Sequence, residues 1–311
     1  MAWRDLNPPA PPPPFPEPVH SGDDPRAHFC VLASGSSGNC SVLRVVAESG
    51  RPERTILLDA GLSPTRTRRL LADRGIGLPE IDDIVLTHLD ADHFHLGWRR
   101  VRDCRATLRL HRQHLGKAER RGLLLRRNEP FTGAFESGPV RIDPIMMSHD
   151  HLGVAAFRIE TACGGSLGFA TDLGRTTDAM IDHLAGVGTL AIESNYCPVM
   201  QADSDRPAFL KNRIMGGAGH LSNEECAEAV RTIAPAASVV LLHLSRQCNT
   251  PGLAARAHTD APYELTISTQ TEPTPWVPLA EASPVSGRRA AAPPVVRVRP
   301  NTQGMLFPAR G

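Results

Sequence analysis

The chain has 311 residues, 41% of them hydrophobic, and a formal net charge of +1. No stretch approaches the length of a membrane span, and the start of the chain has no apolar run suited to a signal peptide. The seven cysteines are irregularly spaced and form no CxxC pair, which argues against a disulfide framework. These features exclude a membrane-spanning protein and a secreted disulfide scaffold, and we expect a cytoplasmic protein.

Proline marks both ends of the chain. Residues 8–18 read PPAPPPPFPEP, and from about residue 270 the chain is rich in Pro, Ala, Ser and Arg. Such stretches bury too little apolar surface to offset the entropy lost on ordering. We therefore predict one large domain at residues 28–270, between a disordered N-terminal tail (1–27) and a disordered C-terminal tail (271–311).

The predicted elements within the domain begin as strands and continue as a mixture of strands and helices. Strands are expected at 28–33, 41–46, 55–61, 81–87, 106–111, 139–147, 153–160, 166–172, 188–193 and 237–243. Helices are expected near 63–74, 175–185, 205–215 and 222–233. This order is typical of two sheets with helices outside them, an α/β sandwich.

Residues 99–127 form one strongly basic segment. They contain eleven Lys and Arg residues against Asp103 and Glu119, a local charge of 11 − 2 = +9. The segment is either a solvated helical face or a surface that binds a polyanion.

Metal-ligating residue types recur directly after apolar strands. The strand at 81–87 runs into THLDADHFH (87–95), in which five of nine residues can bind a metal. One histidine at a strand end is most often structural, whereas five such places in order indicate a site. They are His88 through His93, His149, Asp172, His220 and His243.

These motifs resemble those of the metallo-β-lactamase-fold hydrolases, in particular their YycJ/WalJ-like branch. The family's first motif, HxHxDH, matches His88-Leu-Asp90-Ala-Asp92-His93 except that Asp90 stands at the second histidine. The other matching motifs are LASGSSGN (32–39), LLDAG (57–61), SHD (148–150), TDLG (171–174), ESN (193–195), GHLSN (219–223) and HLSRQCNTP (243–251). The resemblance implies an αββα four-layer sandwich.

The resemblance also implies a dinuclear metal site. His88, Asp90 and His149 would hold one ion, and Asp92, His93 and His243 the other, with Asp172 bridging them. Asp59 would support the ligand loop through a hydrogen bond. Asp92 and His220 would be catalytic, with His220 protonating the leaving oxygen or holding a phosphate; alternatively, GHLSN is only a helix start capped by Ser222. The expected substrate-binding residues are Asn39, Asn195, Ser222 and Asn249.

The residue types allow the chemistry to be argued separately. Imidazole and carboxylate together suit Zn, Mn or Fe(II). Two such divalent ions can share one hydroxide, lower the pKa of bound water and clamp the attacked and leaving oxygens.

Asp90 leaves three interpretations open. It can be a ligand that favours harder ions such as Mn over Zn. Nearby His95 or His151 can substitute for the missing histidine. Alternatively, the first metal site is weak or empty.

The function predicted is a metal-dependent hydrolase, specifically a phosphodiesterase acting as a DNA exonuclease. The YycJ/WalJ-like branch implies 5′→3′ exonuclease activity, and the basic segment could follow a phosphate backbone. The alternatives are a small-molecule or cyclic phosphodiesterase and a non-catalytic metal-binding scaffold. The end of the chain, QGMLF (303–307), resembles peptides that dock on the sliding clamp through Gln303, Leu306 and Phe307.

Overall fold

The computed structural model describes residues 26–148 and 151–283. Within them, the first of two seven-stranded sheets has the order β14-β1-β2-β3-β4-β5-β6. Its strands are β1 (Ala27–Ala33), β2 (Cys40–Val46), β3 (Pro52–Leu58), β4 (Asp83–Val85), β5 (Thr107–His111), β6 (Asn128–Phe131) and β14 (Val277–Pro278).

The second sheet of the described residues has the order β13-β12-β11-β10-β9-β8-β7. Its strands are β7 (Phe135–Ser137), β8 (Val140–Met147), β9 (Val154–Thr161), β10 (Ser166–Ala170), β11 (Thr189–Glu193), β12 (Ser238–Leu242) and β13 (Glu264–Ile267). The α-helices are α1 (Pro64–Ala72), α2 (Arg112–Arg120), α3 (Asp178–Leu184), α4 (Pro198–Asp203), α5 (Ala208–Arg213), α6 (Asn223–Ile233) and α7 (Pro251–Arg256).

Apolar side chains fill the spaces between four layers. Phe29 of the first sheet and Phe157 of the second belong to one buried cluster between the sheets. Leu71 of α1 packs outside the first sheet, and Val230 of α6 packs outside the second. Because each sheet buries both faces, the arrangement is helix, sheet, sheet, helix. This confirms the predicted αββα sandwich.

The parallel strands determine where the site lies. Strands β3 to β6 pair in parallel, as do β10 to β13. The carboxyl ends of parallel strands meet at one edge of a sheet, so loops after different strands are brought together there. Asp59, Asp172 and His243, which closely follow β3, β10 and β12, have φ values of 59°, 53° and 56°. Such left-handed backbone is uncommon outside glycine and turns each chain sharply at the strand end.

Ordered structure continues past the predicted domain boundary at residue 270. Val277 and Pro278 pair with β1, and Thr274 accepts a 3.0 Å hydrogen bond from the backbone N–H of Val31 through its hydroxyl. Residues 271–283 are thus part of the fold, a correction to the predicted tail. This two-residue strand is too short to show periodicity, and its stability comes from packing against the core between the sheets.

Several element boundaries also differ from the prediction. The chain leaves β3 at Leu58, not at residue 61, because the left-handed Asp59 ends the extended conformation. Helix α2 was not predicted as a separate element within the basic segment.

Some predictions fall outside the described residues. They are the N-terminal tail through residue 25, His149, the C-terminal chain from residue 284, and the clamp-binding residues Gln303, Leu306 and Phe307. Among the helices that the structure describes, none has the length and apolarity needed to cross a membrane.

Candidate metal centre

Asp59 anchors the first metal-ligand loop. Its Oδ1 accepts a 2.9 Å hydrogen bond from the backbone N–H of Thr87, and its Oδ2 lies 2.8 Å from Nδ1 of His93. Both Asp59 and His93 are fully buried. With Nδ1 engaged, the Nε2 atom of His93 is directed at Asp172. This is the kind of carboxylate contact that orients metal-binding histidines, although the supporting role of Asp59 stays a prediction.

Gly61 allows the loops to approach each other. The N–H of Asn39 donates to the carbonyl of Asp92 over 2.7 Å, and the N–H of Gly61 donates to the carbonyl of Asn39 over 2.8 Å. A Cβ atom at position 61 would lie 1.7 Å from the Asp92 carbonyl oxygen. The LLDAG and SGSSGN motifs therefore meet at these backbone hydrogen bonds, which join both motifs to the ligand loop.

Asp172 lies at the centre of the site. Its Oδ2 is 2.7 Å from Nε2 of His93, and its Oδ1 is 2.8 Å from Nδ1 of His243. Burial by itself would raise the pKa of Asp172, but His243 and His93 outweigh it and hold that pKa well below the usual range. The carboxylate is consequently charged and connects residues delivered by both sheets.

Glu193, at the end of β11, is a site residue that sequence reasoning missed. Its Oε1 lies 2.7 Å from Nδ1 of His220 and 3.2 Å from Nδ1 of His243. Its Oε2 accepts a 2.7 Å hydrogen bond from the backbone N–H of Leu173. Although its burial opposes ionisation, His220 lowers the pKa of Glu193. The available signal was a carboxylate at the end of an apolar strand, in the ESN motif.

His243 and His93 have raised pKa values. Burial by itself would lower the pKa of His243, but Asp172 and Glu193 raise it to about 10. Burial likewise opposes protonation of His93, and Asp172 and Asp59 hold the pKa of His93 well above its usual range. In the protein alone, the buried carboxylates therefore favour the imidazolium forms of His93 and His243.

Among the described residues, two clusters have the donor set of a metal site, each with all of its ligand atoms within 4.8 Å of one another. One contains His88, His93 and Asp172; the other contains Asp172, Glu193, His220 and His243. Buried imidazoles around carboxylates fit a divalent cation, because the cation can replace the protons that now balance the charge. Asp172 belongs to both clusters. The division of the ligands between two ions stays a prediction.

Two predicted ligands of the first loop lie at the margin of these clusters. Asp90 is 45% exposed, with Oδ2 3.7 Å from Nε2 of His88 and Oδ1 3.6 Å from Nζ of Lys117. Asp92 has its Oδ2 3.7 Å from Nε2 of His93 and 4.0 Å from Nε2 of His243. His95 instead accepts a hydrogen bond from the N–H of Gly97 through Nδ1.

The four residues predicted to bind substrate are buried next to the site. Asn39 Nδ2 lies 3.0 Å from His93 Nε2, and Asn195 donates to the carbonyl of His243 over 2.7 Å. Ser222 caps α6, and Asn249 donates to the carbonyls of Ser194 and Asn195. These contacts hold the site loops in place, and a contact with substrate stays a prediction for each of the four.

Comparison with known proteins agrees with this architecture. Residues 54–244 match the model of the beta-lactamase superfamily domain, which is more than half of the chain. The chain belongs to this superfamily.

Individual members of the superfamily are similar to the chain in sequence or in structure. It is 29% identical over 234 residues to the exodeoxyribonuclease WalJ of Streptococcus pneumoniae, covering 73% of this chain and 84% of WalJ. It is 26% identical over 251 residues to the exodeoxyribonuclease YycJ of Bacillus anthracis, covering 73% of this chain and 86% of YycJ. The metallo-beta-lactamase fold protein YhfI from Bacillus subtilis superposes with a TM-score of 0.61 at 17% identity, covering 80% of this chain and 99% of YhfI. The predicted family is confirmed.

Proposed function

We propose that the protein is a metal-dependent phosphodiesterase that acts as a DNA exonuclease. The observation that carries the proposal is the buried cluster around Asp172, in which histidines and carboxylates from the carboxyl ends of both sheets converge. The relatives named as exodeoxyribonucleases, matched over 73% of this chain, support DNA as the substrate.

The residues that would hold divalent ions are His88, His93, Asp172 and His243, joined by Asp92, Asp90 and the predicted His149. When bound, the ions supply an activated water and neutralise charge on the attacked phosphate. The chain itself contributes the rigid setting. Asp59 fixes the ring of His93, and the strand ends fix Asp172 and His243, so little reorganisation accompanies the reaction.

His220 is suited to deliver a proton. Its Nδ1 lies 2.7 Å from the buried carboxylate of Glu193, and its side chain is 24% exposed, so the ring joins the buried cluster to the substrate side. Contact with Glu193 would hold the His220 ring in place. Transfer of a proton from the ring to the leaving ester oxygen would complete hydrolysis.

A polar cavity lined partly by the loop that follows His243 offers room for substrate phosphate. It has a volume of about 410 Å³ and is lined by Ser36, Arg206, Ser245, Arg246 and Gln247. Arg206 is held in place by hydrogen bonds to Gln247, Gln201 and Ser245, while Arg246 is exposed. The two guanidinium groups of this cavity would attract the phosphates of an approaching strand.

The direct test uses purified protein with Mn²⁺ and 5′-labelled single-stranded and double-stranded DNA. We expect progressive shortening from one end, and His93→Ala should lower the rate at least about 100-fold because it removes an imidazole from the centre of the cluster. Absence of cleavage with Mn²⁺, Zn²⁺ and Fe²⁺, or equal cleavage by His93→Ala, would contradict the proposal. Fast turnover of a cyclic nucleotide without DNA cleavage would favour a small-molecule phosphodiesterase instead.

The sliding-clamp contact is a separate proposal that rests on the sequence QGMLF alone. Deletion of residues 303–307 should abolish binding of the full chain to the clamp. If binding is undetectable in the wild type, or unchanged by the deletion, the proposal fails.

A further inference from the structure

A basic cavity lies on the outside of the first sheet. It has a volume of about 520 Å³, and its lining contains five arginines: Arg99, Arg102, Arg105, Arg126 and Arg127. Its other lining residues, including Trp98, Leu124 and Leu125, are uncharged. All five arginines are exposed at the rim. The cavity therefore combines an apolar floor with a ring of positive charge and has no lining carboxylate.

The arginines of this cavity lack carboxylate partners among the residues that the structure describes. In the described part of the chain, no ion pair joins any of these five arginines to a carboxylate. Arginines elsewhere are paired: Arg54 and Arg109 both contact Asp83, and Arg68 contacts Asp103. Five neighbouring guanidinium groups repel each other, and an anionic ligand would relieve that repulsion.

A second cavity connects the basic one to the metal-ligand loop. It has a volume of about 510 Å³ and shares Val101 and Arg102 with the basic cavity. Its lining also includes His95, two residues after His93, and Asp103, which pairs with Arg68. The two cavities thus form a continuous surface path from the ligand loop, and we call this path the basic track.

The far end of the basic track is well separated from the site. Arg105 precedes β5 and Arg127 directly precedes β6, so both lie at the amino ends of parallel strands. The candidate metal centre lies at the carboxyl ends. Strand β5 has five residues, which at about 3.3 Å each separate the two edges by about 16 Å. A single strand in helical geometry carries one phosphate per about 3.4 Å of axis, so this distance corresponds to about five nucleotides.

We propose that the basic track binds the phosphodiester backbone of the DNA substrate about five nucleotides from the end that is hydrolysed. This inference rests on the proposed function. It adds the surface that would bind the uncleaved part of the strand. A ligand with one phosphate could not reach from the site to the far arginines. The substrate must therefore be a chain of phosphates to use both.

The test is the double variant Arg102→Glu/Arg126→Glu, with Arg256→Glu, at an exposed position of α7, as the control. Substrates are a labelled 20-mer and the small diester bis(p-nitrophenyl) phosphate. For the 20-mer we expect KM to rise about tenfold or more with kcat little changed. For the small diester, both constants should stay unchanged, and Arg256→Glu should resemble the wild type on both substrates.

Equilibrium binding of the 20-mer separates this inference from the proposed function. With the neutral variant Arg102→Ala/Arg126→Ala, the slope of log affinity against log salt should become shallower by about 1.4, two contacts at about 0.7 each for single strands. If the protein cleaves DNA but the variants leave the salt slope and KM unchanged, the role of the basic track is wrong and the proposed exonuclease function is unaffected. Arginine-dependent binding without cleavage supports the track and overturns the exonuclease. A wild type that neither binds nor cleaves overturns both.

Discussion

The carboxylate of Asp59 lies 2.8 Å from Nδ1 of His93, and both side chains are fully excluded from solvent. This contact fixes which ring nitrogen of His93 faces Asp172. The order of residues places Asp59 at the end of one strand and His93 in the loop after the next strand, so the pair exists only because β3 and β4 lie side by side.

Asp59→Asn should weaken metal binding without removing a predicted ligand. The amide has no charge with which to hold the Nδ1 proton of His93, and loss of such a supporting carboxylate typically costs about 10- to 100-fold in metal affinity. Titration of the metal-free protein with Mn²⁺ or Zn²⁺ measures the effect, and circular dichroism checks the fold. The exposed Asp182→Asn serves as the control. Equal affinities for Asp59→Asn and the wild type would contradict the positioning role.

His220→Asn should affect substrates according to how much their leaving group needs a proton. Cleavage of DNA releases a poor alkoxide leaving group, and we expect kcat to fall about 100- to 10,000-fold. Release of p-nitrophenolate needs no protonation, so turnover of bis(p-nitrophenyl) phosphate should fall much less. Equal losses on the two substrates would instead indicate that His220 acts in metal or phosphate binding.

Glu193→Gln should reproduce part of the His220 effect. Because Glu193 contacts His220 and His243 but would not transfer the proton itself, we expect a smaller loss of kcat on DNA than in His220→Asn. In the double variant the two losses should not add, since both act through the same proton. Additive losses would show that Glu193 works through His243 or the metal ions.

Asp90 decides metal preference if it is a ligand. Elemental analysis of the wild type, Asp90→Ala and Asp90→His should show two ions per chain in the wild type, fewer in Asp90→Ala, and higher zinc content with retained hydrolysis in Asp90→His. The exposed position of Asp90 beside Lys117 leaves room for the longer imidazole. A wild type with only one ion would favour the interpretation in which the first site is weak.

Ala234→Gly should stabilise the protein without touching the site. Ala234 ends α6 with a φ of 53°, a left-handed conformation in which glycine avoids the steric cost of Cβ. We expect the free energy of unfolding to rise by about 0.5–1 kcal/mol. Ala72→Gly, at the end of α1 in right-handed helix, should lower it by a similar amount. Thermal melts of both variants measure the change in stability. If the two variants changed stability in the same direction, the expectation would be contradicted.

The sequence by itself was enough for the family, the four-layer fold and the strand-end positions of His88, Asp172 and His243. The family and the four-layer fold followed from the resemblance of the loop motifs, whereas the strand ends could be located because burial on both faces leaves long apolar runs. Their metal-binding roles stay predictions, and His149 and the two tails fall outside what the structure describes.

Only the tertiary structure decided which of these residues meet. Glu193 lies in the site because β11 pairs in parallel with both β10 and β12, which sets its carboxyl end beside theirs. Residues 277–278 joined the first sheet by pairing with β1, about 250 residues earlier in the chain. The location of the basic segment relative to the candidate metal centre was also decided by the fold. Parallel pairing of β5 and β6 places Arg105 and Arg127 at the opposite edge of the sheet. Contacts between distant segments depend on strand order and packing, and local patterns of residues carry no record of either.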